Sequence, residues 1–540
     1  MSEGQGKAAQ AHSTKAQKGE TVNRSEKAED VRISNIRAAK SISMIMRTSL
    51  GPKGMDKLLE TGRKEVIITN DGATILKNLS VMHPTANLLI QTSKAQDVEA
   101  GDGTTSVVIL AGAFLDKAEK LIERGLHPTT ISEGYALALK KSIEVVNKVA
   151  QKINIEDDEY LIQSVKTALA SKILAQNSSE IAPLAIQAIK RIVDIKTATN
   201  VDLNDIKVVK KLGGTMDDVQ LIDGLCFPDN RPSSAAGGPT KIANPKIAVL
   251  QFCLSSPKTD IENNIAINDY SQIDRVLKEE RKYILELVKK ISASGANVLL
   301  IQKSILRDAI NDLALHFLAK KKIMVVRDVE RTDVEFICKT LSCVPIAHID
   351  NLKPEKLGHA AMAEDIDLTD GSKIFKITVA NAPTATILVR GTSNLVCDEV
   401  ERSIHDALCV LRCLIKNKGV IGGGGAIEIE LWRQLEDYAQ SLDKGSLSLV
   451  IKAYSEALEV IPLTLAENCG ISPIKVITEL RNKHRKGLIF AGLKARNGQI
   501  VDDTLQNKIM QPALVTISAL TLATEVTRMI LKIDDILDSR

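Results

Sequence analysis

The 540 residues exceed what one hydrophobic core can organise, and the length points to about three or four domains. Lys and Arg outnumber Asp and Glu only by 71 to 67, so the chain carries no overall basic field of the kind that draws proteins onto nucleic acid. One Trp, 6 Tyr and 7 Phe also leave few rings for stacking bases.

The first 28 residues, MSEGQGKAAQAHSTKAQKGETVNRSEKA, are polar and lack the apolar centre of a signal peptide, so 1–28 is predicted to be a disordered tail. From Val31, the residues Ile36, Ala39, Ile42 and Met46 recur at helical intervals as one buried face, which LGPKG ends with Gly51, Pro52 and Gly54. EVIITNDG reads as a strand closing in an Asn-Asp-Gly turn. Two long helices are predicted next, from Thr104 to about Arg124 and from Ile131 to about Gln151, with Gly125 and Pro128 between them.

From about Pro245 the texture changes. Short apolar runs, KIAVLQFCL, NVLLIQ and IMVVRDV, alternate with helical stretches such as ILRDAINDLALHFLAKKK and RTDVEFICKTL, the pattern of an α/β lobe. A polar interruption at about 255–287 ends in a charged helix and reads as an arm projecting from that lobe. GSKIFKITVANAPTATILVRG is predicted to be a strand pair, after which long helices run from Asn394 to Ile536. The fold class is therefore multi-domain α+β: a mainly helical base built from both ends (29–152 and 416–540), a small connecting domain crossed twice (153–225 and 385–415), and a distal α/β domain (226–384) bearing the arm. No uninterrupted apolar run approaches the ~20 residues that span a bilayer. The 8 cysteines are scattered without metal-ligand spacing and read as reduced, mostly buried thiols. A soluble, cytoplasmic chain is expected.

The stretch that carries chemistry is EAGDGTTSVVILAGAFL at 99–115. A helix N-terminus offers unpaired N–H groups and partial positive charge, so Gly101, Gly103, Thr104, Thr105 and Ser106 make a phosphate cradle. Asp102 would repel phosphate unless a divalent cation lies between them, and Mg²⁺ is commonly held by one or two carboxylates together with nucleotide phosphates. The alternative, that Asp102 merely caps the helix, stands equally on the loop alone. The G-x-x-x-x-G-K-[ST] loop occurs nowhere in the chain, which disfavours a generic P-loop kinase or GTPase.

LGPKGMDKLL at 50–59, ITNDGATIL at 68–76, AGDGTTSVVILAG at 100–112, HDALCVLR at 405–412 and VIGGGGAIEIE at 420–430 together resemble the chaperonins, in that order and with similar spacing. The arm inside the α/β lobe is similar to the built-in lid of the group II branch, whose eukaryotic cytosolic member is TRiC, or CCT. The resemblance implies an equatorial ATP-binding base, an intermediate domain and an apical client-binding domain. It also implies Mg²⁺ and ATP or ADP as ligands, a double eight-membered ring of paralogous subunits, and unfolded clients such as actin and tubulin. On the same footing, Asp102 matches the Mg²⁺ ligand, while Gly103, Thr104, Thr105, Ser106 and Gly51 match phosphate contacts. Asp71 and Asp406 match the two acids that set up the attacking water. Ser171 and Lys172 fall where group II members sense the γ-phosphate, Gly424 matches the glycine against the nucleoside, and Gly492 matches a further nucleotide contact. Gln511 stands where many members carry an acid facing the ribose, and it accepts a hydrogen bond without the charge.

Each of these has a bland reading beside it. Asp406 lies four residues from Arg402 on one helix face, the spacing of a surface ion pair. Asp71 in Asn-Asp-Gly is by turn chemistry a turn former, Lys172 alone would be an exposed helix lysine, and the GGGG run could be a flexible joint. His127 and His405 have no spaced partners and read as structural. The function expected from the whole set is an ATP-hydrolysing chaperone subunit; the alternative is a structural, client-binding ring member with weak nucleotide binding and little hydrolysis, motivated by Gln511.

Overall fold

The computed structural model describes residues 24–536 apart from 61–65, 154–156, 195–197, 231, 233–236, 256–269, 306–307, 369–370, 381 and 443–444. Helix α1 (Arg24–Arg47) begins inside the stretch predicted as a tail, because Glu26, Lys27 and Ala28 are strong helix formers that extend the turns ahead of the apolar face. That face is as expected: Ile36, Ala39, Ile42 and Met46 are buried. Strands β1 (Lys57–Glu60) and β2 (Val66–Thr69) pair antiparallel, and the Asn-Asp-Gly turn leads from β2 into α2 (Gly72–Asn78). Helices α3 (Pro84–Glu99), α4 (Thr104–Glu123) and α5 (Pro128–Val149) follow, with His127 accepting from the Thr129 N–H as the cap of α5.

After the short β3 (Gln151–Lys152) come α6 (Asp158–Leu169), α7 (Ser178–Ile192), β4 (Ile206–Leu212) and β5 (Gln220–Ile222). The chain then builds the α/β lobe from β6 (Gly224–Phe227), β7 (Lys241–Ala243), β8 (Lys246–Leu250), α8 (Tyr270–Ser294), β9 (Val298–Gln302), α9 (Asp312–Lys320), β10 (Met324–Val329), α10 (Arg331–Leu341), β11 (Gly358–His359), β12 (Met362–Asp367) and β13 (Lys373–Thr378). The three apolar runs become the parallel strands β8, β9 and β10, in the order β10-β9-β8-β11. Being covered on both faces, they need no polar alternation. Ala248, Leu250, Leu299 and Ile301 face one apolar cluster with residues of α8 and α9; Ile247, Val249, Val298 and Leu300 face another with residues of α10 and of the antiparallel sheet β6-β13-β12-β7. Of the predicted arm, 256–269 lies outside the described residues, and the rest is the largely exposed first half of α8.

The expected strand pair is corrected here. Both strands form, but β13 lies in the lobe's antiparallel sheet, whereas β14 (Ala385–Gly391) runs parallel to β4 and antiparallel to β5. Every residue of β14 is buried, and such a strand is stable only with neighbours on both edges, which a hairpin with β13 would not supply.

Helix α11 (Asn394–Lys416), β15 (Gly419–Gly422), α12 (Ala426–Gln440), α13 (Gly445–Leu458), α14 (Val460–Asn468), α15 (Pro473–Arg485), β16 (Gly492–Lys494), β17 (Gln499–Val501), β18 (Met510–Pro512) and α16 (Ala513–Leu531) complete the chain. One apolar cluster joins α1, α3, α4 and α5 to α12, α13, α14 and α16, with Phe114 stacked on Tyr454 at 4.3 Å. A second joins α6, α7, β4, β14 and α11. Helix α16 corrects another expectation, since its 19 residues are long and apolar enough in composition to cross a membrane. Its interspersed Ser and Thr residues break the apolar run in sequence, and in the fold they turn inward with it: Thr524 is buried and hydrogen-bonded to the Tyr454 hydroxyl at 2.9 Å. All 8 cysteines are free thiols, five of them buried.

Candidate functional site

The loop between α3 and α4 is held from two sides. The Gln96 side-chain amide on α3 donates to the Asp102 carbonyl at 2.8 Å, and α11 lies directly across Gly101. Gly101 has φ +71°, and any Cβ there would overlap Cys409 on α11, so only glycine lets the helix approach. Arg412 of α11 donates to the carbonyls of Val98 and Glu99 at 2.8 and 3.1 Å, at the C-terminal end of α3. Nearly two turns earlier, the same helix delivers Asp406.

Gly103, not Asp102, is the N-cap of α4, and no side chain caps that helix. Asp102 accepts from the adjacent Gly103 N–H at 2.7 Å, and the N–H groups of Thr104, Thr105 and Ser106 precede the first intrahelical bond, from Val107 to Gly103. The capping reading of Asp102 therefore does not describe this loop. Its carboxyl pKa is raised by burial, with the Asp71 charge adding to the effect.

Asp71 is the N-cap of α2. Its Oδ2 accepts from the Thr74 N–H at 2.9 Å and the Thr74 hydroxyl at 2.7 Å, while its Oδ1 takes the Thr104 hydroxyl at 3.3 Å, which ties the turn to the head of α4. It is thus the turn former that its sequence context predicts, and it also faces a buried cation. The Lys172 ammonium lies 3.8 Å from Asp71 Oδ1 and 2.7 Å from Asp406 Oδ2. The Lys172 side chain, 9% exposed, sits just beyond α6 rather than in solvent on it, and Asn70 helps to seat it by donating to the Ser171 carbonyl at 3.0 Å. Arg402 pairs with Glu399 instead of Asp406.

Two carboxylates thus share one ammonium, with Asp102 close enough to feel its charge. Burial raises Asp406 to about 8, with Lys172 compensating only in part and Asp71 adding repulsion. Burial also opposes the charge of Asp71, but Lys172 and Thr74 outweigh it and hold that carboxyl below its ordinary value. Burial works against the Lys172 ammonium too, yet Asp406 and Asp71 keep its pKa above the usual lysine range. Such a surplus of buried negative charge fits a divalent cation. Among the described residues no three His, Cys, Asp or Glu side chains form a metal cage. A lone carboxylate such as Asp102 would suit Mg²⁺ that arrives with phosphates and water.

A cavity of about 790 Å³ opens in front of these groups. Gly51, Asp71, Asp102, Gly103, Thr104, Thr105, Ser106, Ser171, Lys172, Asp406, Gly424 and Gln511 all line it. Gly492 does not: it packs behind the wall, where a Cβ would lie 2.6 Å from Thr504 Cγ2. Gly424 has φ +69° and sits against the Leu493 carbonyl, and the Leu493 N–H donates to the Gly424 carbonyl at 2.9 Å, so the GGGG run is a packed turn and not a loose joint. Gln511 donates to the Thr516 hydroxyl at 2.8 Å. Ile461, Leu465, Leu493 and Ala495 add apolar lining, with Leu493 against Gly424 and Leu465 against Gly51. Reading the sequence missed Asn70, whose only signal was its place beside Asp71, and Glu428, which also lines the cavity.

A family model described as the TCP-1/cpn60 chaperonin family matches residues 42–540. The chain is 53% identical over 517 residues to the T-complex protein 1 subunit delta of Rattus norvegicus, covering 95% of each. Similarity to proteins of the same description extends to Schizosaccharomyces pombe, 54% over 513 residues covering 95% of this chain and 97% of that one. For Saccharomyces cerevisiae the identity is 50% over 532 residues, covering 98% and 100%.

Proposed function

The chain belongs to the TCP-1/cpn60 chaperonin family, and on that premise we propose that it is an ATP-hydrolysing subunit of a hetero-oligomeric cytoplasmic chaperonin ring. The observation that carries this reading is the meeting of Asp71, Lys172 and Asp406 at the uncapped head of α4. The free N–H groups of Thr104, Thr105 and Ser106 would hold phosphate oxygens, with Asp102 as the carboxylate ligand of Mg²⁺. When bound, Mg²⁺ offsets charge on the phosphates. Asp71 and Asp406 orient the attacking water, and Lys172 fixes the two carboxylates against each other while its charge faces the γ-phosphate. No covalent intermediate is needed.

The same residues suggest how turnover is coupled to motion. Asp71 and Asp102 are rooted in elements that share the core of both chain ends, whereas α6 and α11, which bring Lys172 and Asp406, belong to the second apolar cluster. We assign the first to an equatorial domain (29–152 and 416–540), the second to an intermediate domain (153–225 and 385–415), and 226–384 to an apical domain that grips unfolded client. Completing the site then requires the first two to close on each other. Actin and tubulin are the clients that the family implies, within a double eight-membered ring.

Asp406→Ala should leave ATP binding within a few-fold of wild type and reduce single-turnover hydrolysis by about 10²–10³-fold. Unchanged turnover would refute the assignment. The weak-binding alternative draws only on Gln511, whose side-chain oxygen stays free to accept a ribose hydroxyl while its amide donates to Thr516.

A further inference from the structure

The mechanism above leaves one buried carboxyl on the cavity wall without a task. Glu428 is the third residue of α12, directly after the Gly424–Gly425 turn, and is only 8% exposed. Its Oε2 has no hydrogen-bond partner among the described residues, yet the side chain lines the 790 Å³ cavity. It follows Gly424 by four residues in the chain, and Ile461, Leu465 and Leu493 contribute apolar surface to the same cavity. Glu430, two residues on, differs: His484, Arg433 and Gln434 surround its carboxylate.

A carboxyl oxygen shut away from water with no donor is costly unless something else supplies one. The cavity wall restricts what that something can be. A small ligand held beside the Gly424–Gly425 turn and presenting a hydrogen-bond donor would supply it.

We propose that Glu428 is a nucleoside-recognition residue, its free oxygen accepting a hydrogen bond from a donor on the nucleoside, either a ribose hydroxyl or the amino group of the base. This rests on the nucleotide reading of the cavity and adds to it a specificity contact that is independent of the phosphates. Burial raises the Glu428 pKa to about 7, and the neutral acid retains the acceptor needed.

The test is equilibrium binding by calorimetry to the full chain, with Mg²⁺ throughout, using ATP, 2′- and 3′-deoxy-ATP, purine riboside triphosphate and inorganic tripolyphosphate. Removing the acceptor in Glu428→Leu should weaken ATP by about tenfold while leaving tripolyphosphate unchanged, and Glu428→Gln, which keeps a carbonyl oxygen, should stay within about threefold of wild type. The analogue that binds wild type about tenfold more weakly than ATP, and binds Glu428→Leu no worse, identifies the donor. Should the leucine variant fail to fold, Glu428→Ala supplies the acceptor-free half of this comparison. If wild type binds every analogue as tightly as ATP, or if Glu428→Leu loses ATP and tripolyphosphate alike, the assignment is overturned. A wild-type chain that binds ATP no better than tripolyphosphate would instead defeat the nucleotide reading itself.

Discussion

The cavity region and the α/β lobe bury different things. Around the cavity and its supporting helices, Asn70, Asp71, Gln96, Glu399, Asp406, Glu428, Glu430, Glu459 and His484 are buried, several of them ionisable. Between residues 225 and 378, the buried polar residues among those described are Ser294 and Thr340, and no acid or base joins them. Burying charge costs several kcal/mol per ion unless it is compensated, so a fold keeps it only where geometry supplies partners or a ligand does. Among the described residues, no Asp, Glu, His, Lys or Arg of the lobe is buried to the same degree, and pairs such as Lys303–Glu330 at 2.8 Å have both side chains more than half exposed. The contrast separates a region that buries acidic and basic residues from one whose described residues bury none of them.

The sharpest way to break that contrast is to remove a lysine from each region. Lys172→Met leaves Asp71 and Asp406 facing each other without a cation, which should cost about 3–5 kcal/mol. Local hydrogen exchange in α2 and α11 would read that loss, because a chain of several packing units has no single unfolding midpoint. Lys303→Met should leave exchange in the lobe unchanged, since an exposed pair contributes little. Equal effects at the two sites would show that the buried network is not under electrostatic tension.

Much of this was legible in the sequence. The face of α1, the breaks at LGPKG and Gly125, and the loop AGDGTTS are local signals, set by helical period and turn chemistry. The partnerships were not, because they join positions hundreds of residues apart. Spacing offered Arg402 as the mate of Asp406, but the fold gives Arg402 to Glu399 and brings Lys172 to Asp406 from beyond α6. Burial of Lys172 has no local signature at all. The separation of β13 from β14 was hidden for the same reason: two adjacent β-rich runs look like a hairpin until a strand buried along its whole length claims neighbours elsewhere. Glu428 was unremarkable in VIGGGGAIEIE and acquires meaning only from the wall it stands in.

A smaller effect tests the packing side of the comparison. Gly101 and Gly295 both adopt left-handed backbone, at φ +71° and +79°. A Cβ on Gly101 meets Cys409, whereas a Cβ on Gly295 in the lobe meets nothing within 4 Å. Gly295→Ala should therefore cost only the backbone term, about 1–2 kcal/mol, and Gly101→Ala about 2–4 kcal/mol because α11 must also shift. The second change should further loosen the site by moving Asp406, seen as faster exchange in α11 relative to α10. If both glycines tolerate alanine equally, α11 is not seated on the loop as tightly as the close approach at Gly101 requires.

A pH effect tests the electrostatic side of the comparison. Glu428 has its pKa raised by burial from 4.5 to about 7, so between these values the folded chain holds a proton that the unfolded chain has lost. Folding is then proton-linked with the sign that stability falls as pH rises through this window, and the contribution is fully present only below about pH 4.5. The loss is at most about 3 kcal/mol by pH 8, since each tenfold change in proton affinity is worth about 1.36 kcal/mol. Asp406 titrates toward the same side, so the wild-type profile alone does not isolate Glu428. The difference between wild type and Glu428→Gln does, because glutamine carries no proton to lose. In the absence of nucleotide, protection of α12 in the variant should match wild type near pH 5 and exceed it near pH 8. A difference that stays constant across that range would mean that Glu428 is charged in the folded chain, which its seclusion from water does not permit without a cation beside it. Exchange in β8 and β9 of the lobe, where no acid is buried, should show no such divergence at either pH.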